Sequence, residues 1–264
     1  EVQKIYVSGE IFDVSKVKEI RENNVELDKT VLIGMLCNDT KITHGKKFTG
    51  DPTEIALTSL AFDLNYSEEQ IKQYERVAEI PFDSERKLMT TVNKYNNKYL
   101  VCTKGGLDEL LSICNRYEEK GEIKDDLQNK VKLIENKNEV LAKEALRVLA
   151  MGYKFIDHYP RQDEIKDLEK DLIFVGMCGM IDPPREEAKK AVEKCKEAGI
   201  KTVMITGDHK ITATAIAKSL GILENEEEAI TGSELEKMSD EELDNNIRKY
   251  SVYARVAPEH KVRI

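Results

Sequence analysis

The chain has 264 residues, 40% of them hydrophobic and 34% charged, which is enough for one large domain or two ordinary ones. Its formal net charge of -9 argues against a nucleic-acid-binding protein, because such proteins present a basic face. Five cysteines without a Cys-x-x-Cys pair predict buried, reduced thiols in a cytosolic compartment.

The first part of the chain predicts helices and strands in mixed order. Residues 2–7 ("VQKIYV") predict a strand, and the apolar spacing in "LDKTVLIGMLCND" predicts a helix. Asp51 as N-cap and Pro52 at the first helical position predict the start of a second helix. This part of the chain opens without a signal peptide.

A β-hairpin is predicted between Glu79 and Gly106, with its turn at Asn96 and Asn97, since asparagine tolerates the positive φ of a tight turn. Its ends gather an aromatic ring and three cations: Phe82, Arg86, Lys87 and Lys104. A solvated hairpin rim is one interpretation of this set. The alternative is a pocket for a flat, anionic ligand.

Two helices and two strands are predicted to complete the first part. One helix spans about Leu107 to Cys114, and a longer one carries an apolar face formed by Ile134, Leu141, Ala145 and Val148, with Arg147 near its end. The strands are "MGYKFI" and "LIFVGM". The apolar run at 172–181 is too short for a bilayer span of about 20 residues, so we expect a soluble α+β domain with an antiparallel sheet over residues 1–181.

The pattern becomes regular after the stiff Asp182–Arg185 turn ("DPPR"), which we interpret as an interdomain hinge. The predicted helices are "PREEAKKAVEKCKEAG", "ITATAIAKSLG" and the Ser239-capped "SDEELDNNIRKY"; the predicted strands are "IKTVMI" and "SVYARV". This alternation predicts a parallel sheet over residues 182–264, with ligands beyond the carboxyl ends of its strands.

Candidate binding residues come from both parts. Phe82, Glu54, Lys87, Lys104 and Arg147 could each be structural, yet together they offer ring stacking, phosphate neutralisation and an acceptor for an exocyclic amine, which suits a purine nucleotide. Polar residues at the predicted strand ends of the second part suit a phosphate with Mg²⁺, or a surface ion pair; they are Thr206, Gly207, Asp208, Arg255 and Lys261. Phosphate-loop, dinucleotide and zinc-protease motifs are absent from the sequence.

Seven motifs occur together in order: "GDPTEIAL", "PFDSERKLMTTV", "TKGG", "LRVLAMGYK", "GMIDPPR", "VMITGDHKITATAIAKSLGI" and "YARVAPEHK". In this order and spacing the chain resembles the cytosolic loop of P-type cation-transporting ATPases, most closely the calcium-pump-like subgroup. The resemblance implies a nucleotide-binding domain at 1–181 and part of a haloacid-dehalogenase-like Rossmann phosphorylation domain at 182–264. It also implies the cytosolic face of a membrane, with actuator and transmembrane parts as partners.

The resemblance implies a role for each matching position. Phe82 would stack on the adenine of ATP or ADP and Glu54 would contact the adenine end. Lys87, Lys104 and Gly105 would line the pocket, and Arg147 would reach toward the phosphates. Residues of the second part would form the phosphorylation-domain side of the site, with Mg²⁺ held mostly by residues outside this chain: Thr206, Gly207, Asp208, Arg255 and Lys261.

Several positions depart from the family pattern. The phosphorylated aspartate lies in Asp-Lys-Thr-Gly-Thr, whereas Asp28-Lys29-Thr30 here lacks the Gly-Thr and falls on a predicted helix. We expect the catalytic motif before Glu1 and the Mg²⁺-binding segment after Ile264, so that this chain alone lacks the catalytic aspartate. Ser84 replaces a basic residue found in relatives, and Gly106 replaces a common alanine.

Two other functions remain open from the sequence. One is a haloacid-dehalogenase-like phosphatase with a large cap domain, although no nucleophilic aspartate follows a predicted strand here. The other is a nucleotide-binding module without catalysis.

Overall fold

A computed structural model describes residues 1–43, 47–144, 146–181, 186–208 and 210–264. They divide into two compact units, one formed by Glu1–Ala142 with Leu146–Ile181 and the other by Lys143–Ala145 with Asp182–Ile264. The predicted hinge at Asp182–Arg185 lies outside the described residues.

The first unit is built on one large sheet. Its elements are β1 (Val2–Val7), β2 (Glu10–Asp13), α1 (Val14–Ile20), α2 (Val25–Leu36), β3 (Lys41–Thr43), β4 (Lys47–Thr49), α3 (Pro52–Asp63), α4 (Glu68–Lys72), β5 (Arg76–Asp83), β6 (Leu88–Tyr95), β7 (Lys98–Gly105), α5 (Leu107–Ser112), β8 (Cys114–Glu119), β9 (Glu122–Lys124), α6 (Leu127–Lys143), β10 (Arg147–Ile156) and β11 (Leu172–Met180). The strand order is β2-β1-β11-β10-β7-β6-β5, antiparallel throughout, with β8 added parallel to β11 and β9 antiparallel to β8.

Helices cover both faces of this sheet. Leu27 and Ile33 of α2 and Leu57 of α3 are buried in one apolar cluster with the sheet residue Met89, while α5 and α6 contribute to a second cluster on other strand residues. Each fully buried aliphatic side chain contributes about 1.5–3 kcal/mol of transfer free energy. The helices packed on both faces therefore hold the sheet in place, and with it the positions of the strand ends.

Most local predictions for this unit are confirmed. The strand at 2–7 is β1, and the Asp51 carboxylate accepts a hydrogen bond from the Thr53 N–H at 2.8 Å at the start of α3. The predicted hairpin is β6–β7, with Asn96 at a φ of 52° in its turn. All nine residues of β11 are buried, as expected for the apolar run.

Four predicted helix positions are wrong or lie outside the described residues. Helix α5 ends at Ser112, so Cys114 begins β8, and α6 ends at Lys143, so Arg147 and Val148 belong to β10. Ala145 is not among the described residues. The helical spacing failed here because Arg147 and Val148 pair with Met180 and Gly179 of β11, and hydrogen bonding within a sheet outweighs a weak local periodicity.

The second unit contains a small parallel sheet. Its elements are α7 (Glu186–Glu197), β12 (Met204–Ile205), α8 (Lys210–Leu220), β13 (Ala229–Thr231), α9 (Gly232–Glu236), α10 (Asp240–Asn246), β14 (Val252–Ala254) and α11 (Pro258–Arg263). The strand order is β12-β14-β13, with both pairings parallel. The capping box of Ser239 and Glu242 is present.

Some predictions for the second unit need correction. The strand expected over 200–205 is shortened to two residues, since β12 pairs with β14 alone and only through Met204 and Ile205. The predicted strand at 251–256 shrinks to the three residues of β14. β13 was not predicted, because its three residues are too few to show a pattern.

Four of the five cysteines are buried, as the composition predicted. All five cysteines are free, and Cys195 is partly exposed. Burial raises the pKa of Cys37 to about 11 and that of Cys178 to about 12, so both thiols stay protonated at neutral pH. Within the described residues, no helix is both long and apolar enough to cross a membrane.

Candidate functional site

The sheet register brings the candidate residues of the first unit to one end of the sheet. Gly105, the last residue of β7, pairs with Leu88, the first of β6, and on its other side with Ala150 near the start of β10. Asp83 at the end of β5 also pairs with Leu88. Phe82, Lys87 and Lys104 are next to these positions in the chain, and Arg147 is the first residue of β10. All four candidate residues are therefore at or next to strand ends on one side of the sheet.

A buried ion pair lies at this end of the sheet. The Lys104 Nζ donates to the Glu54 Oε1 at 2.5 Å, and the two side chains are 6% and 15% exposed. The other carboxylate oxygen of Glu54 accepts the Asp39 N–H at 3.1 Å. Because Glu54 is in the first turn of α3, this pair fixes the helix N-terminus to β7.

Gly105 provides the space that the neighbouring strand needs. A β-carbon placed there would lie 2.2 Å from the Lys87 carbonyl oxygen and 2.7 Å from a methyl carbon of Leu88. Such contacts are too close for any side chain, so only glycine allows β7 to approach Lys87. The position thus follows from backbone packing, whether or not a ligand is bound.

Lys87 is an exposed cation of the set. Its backbone is left-handed, with a φ of 53°, and its Nζ donates to the Glu109 carboxylate at 2.6 Å while the side chain stays 60% exposed. This hydrogen bond raises the pKa of Lys87 and lowers that of Glu109. A surface pair of this kind is weak, so an anionic ligand can displace Glu109.

Phe82 is 62% exposed at the end of β5, the edge strand of the sheet. A large ring left in water gains nothing for folding, since hydrophobic stabilisation requires burial. A flat partner placed on the ring would bury both faces in contact. The exposed ring on β5 and the Lys104–Glu54 pair at β7 lie at the same end of the sheet, so this end combines an apolar surface with charged groups.

Arg147 opens β10 and is exposed. Its guanidinium donates to the Thr53 hydroxyl at 3.4 Å, close to the start of α3. Burial opposes ionisation of the nearby Asp51, but hydrogen bonds from Thr53 and the charge of Arg147 lower the pKa of Asp51 overall. Arg147 is therefore held loosely near Glu54, with its charge available to a ligand.

In the second unit the loops that follow β12 and β14 are joined. The Thr206 hydroxyl donates to the Asp208 carboxylate at 2.7 Å, and the Arg255 N–H donates to the Asp208 carbonyl at 3.0 Å. Arg255 has a φ of 53°, and a β-carbon at Gly207 would meet no atom within 4 Å. These residues lie at the carboxyl edge of the sheet, as predicted.

Lys261 is exposed on α11, beyond the loop that follows β14. No ion pair joins Lys261 or Arg255 to Asp208 within the described part of the chain. The same part holds no cluster of three or more His, Cys, Asp or Glu side chains that could bind a metal ion. These residues do not by themselves fit a Mg²⁺ centre.

The Asp28 carboxylate is held by hydrogen bonds within the first unit. Its Oδ1 accepts from the Arg21 Nε at 2.5 Å and from the Tyr66 hydroxyl at 2.9 Å, on helix α2. Next to it, Lys29 pairs with the Glu118 carboxylate, which is 4% exposed, at 2.6 Å. The Asp28-Lys29-Thr30 segment therefore joins the layers of the first unit.

Sequence reasoning missed the partners of the candidate residues. Glu109, Thr53 and Asp39 each contact a predicted site residue. Glu109 and Asp39 lie outside the quoted motifs, and Thr53 lies in "GDPTEIAL" but was not identified as a contact. The acidic first turn of α5 is the only local signal for Glu109. The ion pairs close over long sequence separations, which a local pattern does not encode.

Comparison with known proteins gives one family and several relatives. Residues 26–187 match the family model described as P-type ATPase, cytoplasmic domain N. The chain is 41% identical over 249 residues to calcium-transporting ATPase 1 of Lactococcus lactis and 42% identical over 248 residues to a calcium-transporting ATPase of Listeria monocytogenes. Calcium-transporting ATPase 1 of Saccharomyces cerevisiae is 34% identical over 270 residues.

These alignments cover 94%, 93% and 96% of this chain, respectively. In each case they cover 28% of the relative. The chain therefore spans about 28% of the length of the curated relatives that it matches.

Proposed function

This chain belongs to the P-type ATPase family through its cytoplasmic domain N, and we propose that its first unit binds ATP or ADP at the end of the β10-β7-β6-β5 strands. The observation that carries the proposal is the exposed Phe82 ring, 62% accessible, at the same sheet end as the Lys104–Glu54 pair. An adenine ring stacked on Phe82 would recover about 1–3 kcal/mol, as stacking on aromatic side chains does for other bases.

Each neighbour has a role in this proposal. Glu54 accepts a hydrogen bond from the exocyclic amine at the adenine end, while Lys104 holds its carboxylate in place. Lys87 releases the Glu109 carboxylate and binds the nucleotide in its place. Gly105 lets β7 approach the Lys87 backbone closely. Arg147 neutralises phosphate charge, a role that suits an arginine fork.

For the second unit we propose part of a haloacid-dehalogenase-like phosphorylation domain, with the first unit as the nucleotide-binding domain. The three parallel strands and the Thr206–Asp208 loop at their carboxyl edge support this assignment, because ligands of open parallel sheets bind at that edge. Thr206, Gly207, Asp208, Arg255 and Lys261 would face the phosphates.

In the whole protein we propose ATP-driven cation transport, with calcium as the ion suggested by the names of the relatives. ATP held at Phe82 would transfer its γ-phosphoryl group to an aspartate of the family motif, with Mg²⁺ accompanying the nucleotide. Positioning and charge neutralisation would supply most of the catalysis. The actuator and transmembrane parts would be its partners at the cytosolic face of a membrane.

Nucleotide titration followed by amide chemical shifts tests the binding proposal. Adding ADP to the 264-residue chain is expected to shift amides at the end of the sheet, those of residues 82, 87, 105 and 147, and to leave the far hairpin turn at Asn96 unchanged. Shifts confined to the loop around Asp208, or none at all, would contradict the assignment.

A second test concerns phosphorylation. After incubation with γ-labelled ATP and Mg²⁺ and an acid quench, no hydroxylamine-sensitive label is expected on Asp28, because Arg21 and Tyr66 occupy its carboxylate. Asp28→Asn should give the same label-free result as the unmodified chain. Label that disappears in Asp28→Asn would show a self-sufficient phosphotransferase instead.

A further inference from the structure

The ring of Phe82 is not held in place by packing, because 62% of the residue is exposed. Its strand also pairs irregularly there, with the β5–β6 register shifting between Ile80 and Asp83. The direction of the ring therefore depends on how the backbone on either side of Phe82 is held.

On the N-terminal side Arg86 holds the backbone. Its Nη2 donates to the Pro81 carbonyl at 2.6 Å, and its Nη1 pairs with the Glu169 carboxylate. The two side chains are 29% and 11% exposed, so this ion pair is much less accessible to water than the Lys87–Glu109 pair.

Glu169 is in turn held by the sheet. Its Oε1 accepts from the Thr90 hydroxyl at 2.7 Å, and the Thr90 and Thr103 hydroxyl oxygens lie 2.9 Å apart. A hydroxyl has one proton to donate, so the proton of Thr90 goes to Glu169 and Thr103 must donate to Thr90. The chain of bonds thus runs from β7 through β6 and Glu169 to Arg86.

On the C-terminal side the turn is closed by Asp83. Its Oδ1 accepts the N–H groups of Glu85 and Arg86, each at 2.9 Å, and its carbonyl accepts the Lys87 N–H at 2.6 Å. The backbone on both sides of Phe82 is therefore hydrogen-bonded to the same short turn. Arg86 takes part on both sides, through its guanidinium at Pro81 and its N–H at Asp83.

We propose that the Arg86–Glu169 ion pair is a positioning device that presents the Phe82 ring to the nucleotide base. The inference rests on the proposed function, and it assigns Arg86 and Glu169 no contact with the nucleotide. It requires an arginine, since the two nitrogens of one planar fork reach the Pro81 carbonyl and the Glu169 carboxylate at once, which a lysine ammonium does not reproduce.

The test is a double-mutant cycle on ADP affinity, measured by chemical-shift titration so that weak binding stays measurable. Arg86→Lys is expected to raise the Kd about threefold to tenfold, the scale on which ordering one loop side chain penalises binding. In a Phe82→Ala background the same substitution should change the Kd by less than about twofold, because the ring that it positions is gone. AMP and ATP should show the same factor as ADP.

Controls separate this role from general effects. Lys94→Met removes the exposed ion pair between Lys94 of β6 and Glu75 and should leave the Kd unchanged. Denaturation curves check folding, and if Arg86→Lys unfolds, Glu169→Gln replaces it, since the amide keeps an acceptor for Thr90 and removes only the charge.

The outcomes are distinct. If Arg86→Lys raises the Kd by the same factor in the presence and in the absence of the Phe82 ring, the positioning role is overturned in favour of direct phosphate contact. The same conclusion follows if the factor grows from AMP to ATP. An unmodified chain that does not bind ADP would overturn the proposed function itself. If Phe82→Ala weakens binding while Arg86→Lys and Glu169→Gln do not, only the present inference fails.

Discussion

Replacing Lys104 by methionine is expected to lower the free energy of unfolding by about 3–5 kcal/mol, the usual loss when one partner of a buried ion pair is removed. Lys104 is 6% and Glu54 15% exposed in the pair. Methionine has a similar volume, so the loss of unfolding free energy measures the effect of leaving the Glu54 carboxylate without its partner. Urea denaturation at neutral pH, followed by circular dichroism, measures the change.

The double variant Lys104→Met with Glu54→Gln makes the prediction specific. With the stranded carboxylate gone, most of the lost stability should return, because a buried pair replaced on both sides is often neutral. The amide oxygen of the new side chain can still accept the Asp39 N–H, which Glu54 binds at 3.1 Å in the unmodified chain. An equal or larger loss in the double variant would show that packing, and not charge, accounts for the effect.

Stability and nucleotide binding should separate in these variants. If Glu54 and Lys104 both contact the nucleotide, the double variant regains its folding stability but not its affinity for ADP. The exposed pair of Lys94 and Glu75, at 51% and 64% exposure, supplies the matched control. Lys94→Met should leave both quantities unchanged, since exposed ion pairs contribute little.

Replacing Phe82 by alanine is expected to weaken nucleotide binding by about 1–3 kcal/mol, the range for loss of one aromatic ring stacked on a base. Its effect on the free energy of unfolding should stay within about 0.5 kcal/mol, because substitutions at exposed sites rarely exceed that. Calorimetric titration with ADP and a denaturation curve measure the two quantities on one sample.

Phe155→Ala is the matched control for the ring. Phe155 is 41% exposed and packs 5.3 Å from Tyr95 and 5.8 Å from Tyr153, measured between ring centroids. Its loss should lower stability and leave ADP affinity unchanged, whereas Phe82→Tyr should retain most of the affinity. If Phe82→Ala binds ADP as tightly as the unmodified chain, the base does not stack on this ring.

Local signals in the sequence were sufficient for many single elements. The Asp51 cap of α3, the Asn96 turn and the Ser239 capping box all depend on contacts within a few residues, so the pattern contains the full cause. The buried strand β11 was predictable for the same reason, since its nine residues are apolar or small throughout. The ordered motifs further indicated the P-type ATPase family, which the comparisons confirm.

What only the tertiary structure decided is which charges have partners and which remain available. Lys104 and Glu54 are 50 residues apart and Arg86 and Glu169 are 83 apart, so no periodicity could join them. The same sheet assigned Arg147 to a strand by pairing it with Met180 of β11, against its helical pattern. Sequence by itself determined many of the elements and the residue types at the sheet end, because caps, turns and apolar periods act locally. Lys104 is buried against Glu54, and Phe82 stays exposed, only because strands and helices from distant parts of the chain pack together.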